Sequence, residues 1–234
     1  MDDQLIVKPK PIKGFFHKRV IYIPCDTPSR IIQKKLTANA SKEKNLAFAT
    51  LYSLRNSTVL YNVIGASAAV VALECLIASG AEEIILLGFC GALGPLGNIA
   101  ETTSISLAYS EEGTSKHYFP RKKLFRPSST LKNALESVLI DQKLNFHEGV
   151  TVSTDAPFRE TQSWLIEKQK KQIDFVDMET SAVFALAEFY KINAAALMII
   201  SDELESKSWT TGFRKLLFSK QIRRYFFPFI TKNV

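Results

Sequence analysis

The sequence predicts an α/β fold, a three-layer α/β/α sandwich with a mixed central sheet. Apolar strand candidates at 19–24, 58–65, 83–90, 99–109, 146–154, 174–178 and 194–201 alternate with helical stretches at 30–44, 67–79, 129–142, 162–171, 180–190 and 211–226. The run AAALMII ahead of Ser201 is short and wholly apolar, as a parallel strand covered on both faces should be. The 234 residues, 46% hydrophobic, are enough to bury one sizeable core, and no internal repeat or low-complexity tract divides them.

Residues 1–18 carry Pro9, Pro11 and a string of basic side chains including His17, which reads as an arm over the surface rather than core; 19–234 reads as one domain. RVIYI opens that domain as a strand and leads through Cys25, Asp26 and Pro28 into the first helix. The helix at 67–79 has Glu74 as its only charge, so it should be buried on nearly all sides, and Gly80 supplies a left-handed stop. DFVDM is a short strand running into the helix at 180–190, and the next strand ends at Ser201 and Asp202. In open α/β sheets ligands bind beyond the carboxyl ends of strands, so Met178, Glu179, Ser201 and Asp202 are expected to face one pocket.

Composition narrows the remaining classes. No stretch of 18 apolar residues occurs, and the N-terminus opens on two aspartates rather than a basic region and an apolar run, so neither a membrane span nor a signal peptide is expected and the cytoplasm is the default. Cys25, Cys75 and Cys90 fit reduced thiols, and His17, His117 and His147 have no metal-ligand spacing, so neither metal nor cofactor is expected. The net charge of +7 is dispersed over separate clusters, which argues for solvated faces and against nucleic acid. The tail RRYFFPFI, mixed basic and aromatic, is expected to pack on its own domain or on a neighbouring subunit.

FVDMETSAVFALAEFYKINAAALMIISDEL resembles the V-x-M-E-A/S-A and S-D signatures of the nucleoside phosphorylase and nucleosidase superfamily, which cleaves N-ribosidic bonds. The resemblance implies a nucleoside phosphorylase-like fold, a nucleoside substrate and a homo-oligomer. It also implies that Met178 packs under the ribose, that Glu179 accepts hydrogen bonds from the 2′ and 3′ hydroxyls, and that Asp202 protonates or hydrogen-bonds purine N7. A positioned acid is worth a factor of about 10²–10⁴ when a base leaves with negative charge. The competing reading makes Glu179 a cap for the following helix and Asp202 a cap for a turn.

The likeness extends further, unevenly. Tyr61 to Ile99 resembles the family's strand, turn, buried helix and Gly-rich loop, and it adds Cys90 and Gly91 to a substrate set with Val176 and Ser201. GVTVSTDAPFRET places an aromatic near the base, by position Phe158. RVIYIPCDTPSR loosely resembles the family's phosphate loop, with Arg30 as the surviving phosphate ligand. Two other phosphate positions read Leu86 and Phe89, and a third falls near Lys42 to Lys44. Without bidentate partners a buried phosphate is poorly compensated, so water becomes the favoured nucleophile. Asp26 lies where nucleosidases place a water-activating acid, and a turn or helix cap is its equal alternative. The expectation is therefore a nucleosidase or an atypical phosphorylase, with phosphate as co-substrate only in the second; the alternatives are a nucleoside-binding relative without turnover and a bare structural module.

Overall fold

The computed structural model describes residues 5–205, 208–213 and 216–231; the first four residues of the expected arm, positions 214 and 215 of the expected last helix, and 232–234 lie outside them. Its parallel centre is formed by β1 (Arg19–Ile23), β4 (Thr58–Tyr61), β5 (Glu83–Ala92) and β10 (Asn193–Glu205), with β1 between β4 and β5 and β10 on the far side of β5. β6 (Thr102–Ser110), β8 (His147–Ser153) and β9 (Phe175–Asp177) continue the sheet in the order β10, β6, β8, β9, β5. Because β9 and β10 both pair with β5, these five strands close into a ring, joined by a mixture of parallel and antiparallel ladders.

The period-2 geometry of strands explains the continuous apolar runs. Val20 and Tyr22 of β1 point into one core and Ile21 and Ile23 into another. In β10, Ala194, Ala196, Met198 and Ile200 join the first core, while Ala195, Leu197 and Ile199 join the second. The first core is covered by α2 (Ala66–Ala78) and α5 (Thr180–Tyr190), the second by α1 (Ile31–Asn39), α3 (Ser129–Asp141), α6 (Leu216–Tyr225) and α7 (Phe227–Thr231). Helices therefore lie on both faces of a mixed sheet. A third, smaller cluster of Leu93, Val152, Leu165, Ile173 and Val176 sits under α4 (Gln162–Lys170).

Four expectations are corrected. The first helix does not reach 44: Ala40 is extended, and Lys42–Asn45 forms β2, an edge strand antiparallel to β3 (Thr50–Ser53). KEKN keeps that edge charged, which discourages further strand pairing. The last helix does not begin at 211, because Ser208–Thr211 forms β11 against the end of β10. The arm is not wholly superficial, since Phe15 is 1% exposed in the first core and Ile12 N–H donates to Ser79 Oγ at 2.8 Å. Finally, Lys168 is no solvated charge; it is buried, paired with Glu111, and lies 5.3 Å from the Trp164 ring centroid. The aromatic tail packs on its own domain, with Tyr225, Phe226, Phe229 and Ile230 all buried and Lys35 and Arg223 over the Phe227 ring. Among the described residues no helix is long and apolar enough to cross a membrane.

Candidate functional site

The carboxyl ends of β1, β5, β9 and β10 converge on a cavity of about 550 Å³, well within the range of small-ligand sites. Met178, Glu179, Ser201, Asp202, Val176, Cys90 and Gly91 line it, as do Phe89 and, at the mouth, Phe158, which is 95% exposed. Asp26 and Arg30 do not.

Glu179 is 5% exposed, and its Oε1 accepts the Gly65 N–H at 2.7 Å. Gly65 is the residue ahead of α2 and has φ +91°, a conformation L side chains rarely adopt, so glycine is what lets that N–H turn towards α5. Glu179 does not cap α5 with its own side chain. That work falls to Asp177, which the sequence reading missed: its Oδ1 accepts from Glu179 N–H at 2.9 Å, Thr180 N–H at 3.0 Å and Ser153 Oγ at 2.7 Å, and its Oδ2 accepts from Thr151 Oγ1 at 2.9 Å. Glu179, for which capping was the competing reading, is thereby freed to face the cavity. Burial first, and the neighbouring Asp177 second, push the Glu179 carboxyl up to about 8.

Asp202 follows a bulge in which β10 slips against β5 between Ile200 and Asp202. A side chain at Gly91 would meet Leu204 at 2.9 Å, Asp202 Oδ2 at 3.0 Å and Val176 at 3.1 Å, so the glycine makes room for the carboxylate. Asp202 accepts from Ser201 Oγ at 2.5 Å and, through its other oxygen, from Trp209 Nε1 at 2.8 Å. Ser201 and Trp209 thus aim it along the strand end.

Asp26 is corrected to a helix cap. Its oxygens accept the N–H groups of Thr27 at 2.6 Å, Ile32 at 3.2 Å and Gln33 at 2.8 Å, and the Tyr61 hydroxyl at 3.0 Å, so the carboxylate holds the first turn of α1 where negative charge is favoured. Arg30 is corrected too: it is exposed at the N-terminus of α1 with φ +51° and is not among the residues that line the cavity. Lys42 and Lys44 lie on β2, also outside the lining, and Leu86 is buried in the first core. Phe89 fills its side of the cavity from within an aromatic cluster, its ring centroid 5.5 Å from that of Phe213, 5.2 Å from Phe218 and 5.7 Å from Phe226.

The sequence reading also missed Glu160, Trp209 and Phe213. Glu160 carried a signal, standing two positions after Phe158. Burial first, and Asp202 second, push it up to about 7. Cys25 lines the cavity as a thiol that burial, with Glu179 and Asp26, pushes up to about 12, which suits packing rather than nucleophilic attack. Among the described lining residues four carboxyl groups, Glu160, Asp177, Glu179 and Asp202, face no Lys, Arg or His. The described residues hold no cluster of His, Cys, Asp and Glu suited to a metal ion.

Comparison with known proteins bears on the family and the fold. The family model of the phosphorylase superfamily matches residues 34–222. A DeoD-type purine nucleoside phosphorylase of Mycoplasma genitalium is 29% identical over 162 residues, covering 68% of each chain. A guanosine phosphorylase of Halorubrum lacusprofundi is 28% identical over 153 residues, covering 65% of this chain but 64% of its own, under two thirds of its length. In structure, the purine nucleoside phosphorylase of Toxoplasma gondii solved with immucillin-H superposes with a TM-score of 0.74 at 19% identity, over 97% of this chain and 96% of the other, a likeness of fold.

Proposed function

Because this chain belongs to the phosphorylase superfamily, we propose that its cavity binds a purine-type nucleoside and that the protein cleaves the N-ribosidic bond, with water as the nucleophile. The observation that carries the reading is that Glu179 and Asp202, delivered by different strand ends, line one cavity. Glu179 keeps lone pairs beyond its bond to Gly65 and accepts the ribose hydroxyls, two charge-assisted hydrogen bonds. Met178 packs beneath the sugar, Asp202 faces the base, and Phe158 at the mouth stacks on it. As the C1′–N bond breaks its electron pair leaves with the base; a water oxygen then bonds to C1′ and its proton is released. The sugar takes on oxocarbenium character in such a reaction, so a weak nucleophile suffices.

Water is preferred to phosphate because the described lining is acidic and a phenyl ring stands at Phe89. An anion entering there finds a phenyl ring where a hydroxyl would donate and, among the described lining residues, no Lys, Arg or His. The second reading, binding without turnover, is favoured by one observation: Asp26, the expected activator of water, is occupied as a helix cap. Release of free base from inosine, adenosine, guanosine and uridine, with and without phosphate, separates these. Base release that ignores phosphate supports hydrolysis, saturable dependence on phosphate supports phosphorolysis, and binding with no release supports the second reading.

A further inference from the structure

Two carboxyl groups stand at the outer end of the cavity, and they are differently held. Asp202 has both oxygens engaged as acceptors, by Ser201 Oγ and Trp209 Nε1. Glu160 lies on the loop ahead of α4, half-buried, its N–H donating to the Pro157 carbonyl at 3.3 Å and its carboxyl making no hydrogen bond among the described residues, and it lines the cavity with Phe158. A carboxyl placed near a fixed anion and drawn out of water keeps its proton. We propose that Glu160 donates the proton that leaves with the base, with Asp202 as the anion beside it; this rests on the cleavage reading above. In the step, the C1′–N bond breaks, its electron pair passes to the base, the Glu160 O–H gives its proton to a ring nitrogen of that base, and water adds to C1′. The proton lost by that water returns to the Glu160 carboxylate through solvent, so the cycle closes without a co-reactant.

Glu160 is held at about 7, near the pH at which a general acid works best. Asp202 on β10 is the charged group coupled to it; Asp177 and Glu179 share the cavity from the β9–α5 side, Cys25 and Cys90 remain thiols, and Arg159 beside it in sequence is exposed. Glu179 titrates near 8, but it serves ribose as a carboxylate, so its contribution to rate rises with pH while that of Glu160 falls.

The test is kcat for inosine and adenosine against pH in the wild type, Glu160→Gln and Asp202→Asn, together with carbon-13 NMR titration of the glutamate carboxyls. The wild-type kcat is expected to trace a bell with its optimum between about 7 and about 8, rising as Glu179 ionises and then falling along the limb on which Glu160 loses its proton. Glu160→Gln loses that limb and drops kcat on the order of 10²-fold with KM little changed. Asp202→Asn moves the limb, and the matching carboxyl resonance, to lower pH. Retention of both the limb and the rate in Glu160→Gln overturns the proposal while leaving cleavage standing. Absence of base release from the wild type, with the Glu160 resonance still titrating, means instead that cleavage itself is wrong, and the proton-donor role falls with it.

Discussion

Replacing Asp177 by alanine tests how the fold holds its site open. The side chain is 5% exposed and accepts four hydrogen bonds, from Thr151, Ser153, Glu179 and Thr180. Alanine leaves two backbone N–H groups at the start of α5 without an acceptor, at about 1–3 kcal/mol each. It also removes an anion from a helix N-terminus, about 0.3–1 kcal/mol more. Relief of the repulsion between Asp177 and Glu179 returns part of this, and the two hydroxyls can rotate to other partners, so the net loss comes to about 3 kcal/mol. Asparagine differs: its oxygen still accepts from the two N–H groups and its amide can donate to Thr151, so the cost falls to about 1 kcal/mol. Urea unfolding followed by tryptophan fluorescence, with the denaturant slope unchanged, measures both. An alanine variant within 1 kcal/mol of wild type, or an asparagine variant as unstable as alanine, would refute the reasoning.

Other expectations concern the cavity itself. Glu179→Ala should weaken inosine binding by roughly 10–100-fold, the loss of charge-assisted hydrogen bonds, as read by calorimetry. Asp202→Asn should slow base release by about tenfold or more and spare affinity, since an amide keeps hydrogen bonds but not the charge; equal losses in both would contradict separate roles. Stability should depend on pH through Glu179: the unfolded chain loses this proton near 4.5 while the folded protein holds it to about 8, so the folded state gains from the bound proton at low pH and loses that gain as pH rises from about 4.5 to about 8. Glu179→Gln should flatten the difference in urea midpoint across that window.

The architecture was legible because buried strands announce themselves. β5 and β10 send alternate side chains into two cores, which forces the unbroken runs EIILLGFCGA and AAALMII; the burial expected for α2 on nearly all sides is corrected, since Ser67, Val71 and Ala78 form an exposed stripe along it and Val71 is 54% exposed. Glu179 was legible as a carboxylate just past a short strand and Asp202 as one closing an apolar run, although β10 runs on from Asp202 to Glu205 against β11. The edge hairpin was not, since KEKN has a composition that suits an exposed helix or an exposed strand equally, and only pairing with β3 decides it. Nor does sequence reveal which acid a helix end will take: Asp26 reaches the N–H groups of Ile32 and Gln33 from six and seven residues away, while Asp177 relieves Glu179 of the same duty. Glu160 escaped notice because its significance lies in facing Asp202 across a chain separation that no local pattern spans.

The central claim is tested most directly by running the wild type with inosine in heavy-oxygen water, with and without phosphate, and finding where the label goes. The account predicts free hypoxanthine and free ribose carrying one labelled oxygen at C1′, at a rate that ignores phosphate and vanishes in Glu179→Ala. Unlabelled ribose 1-phosphate, formed in proportion to added phosphate, would contradict it.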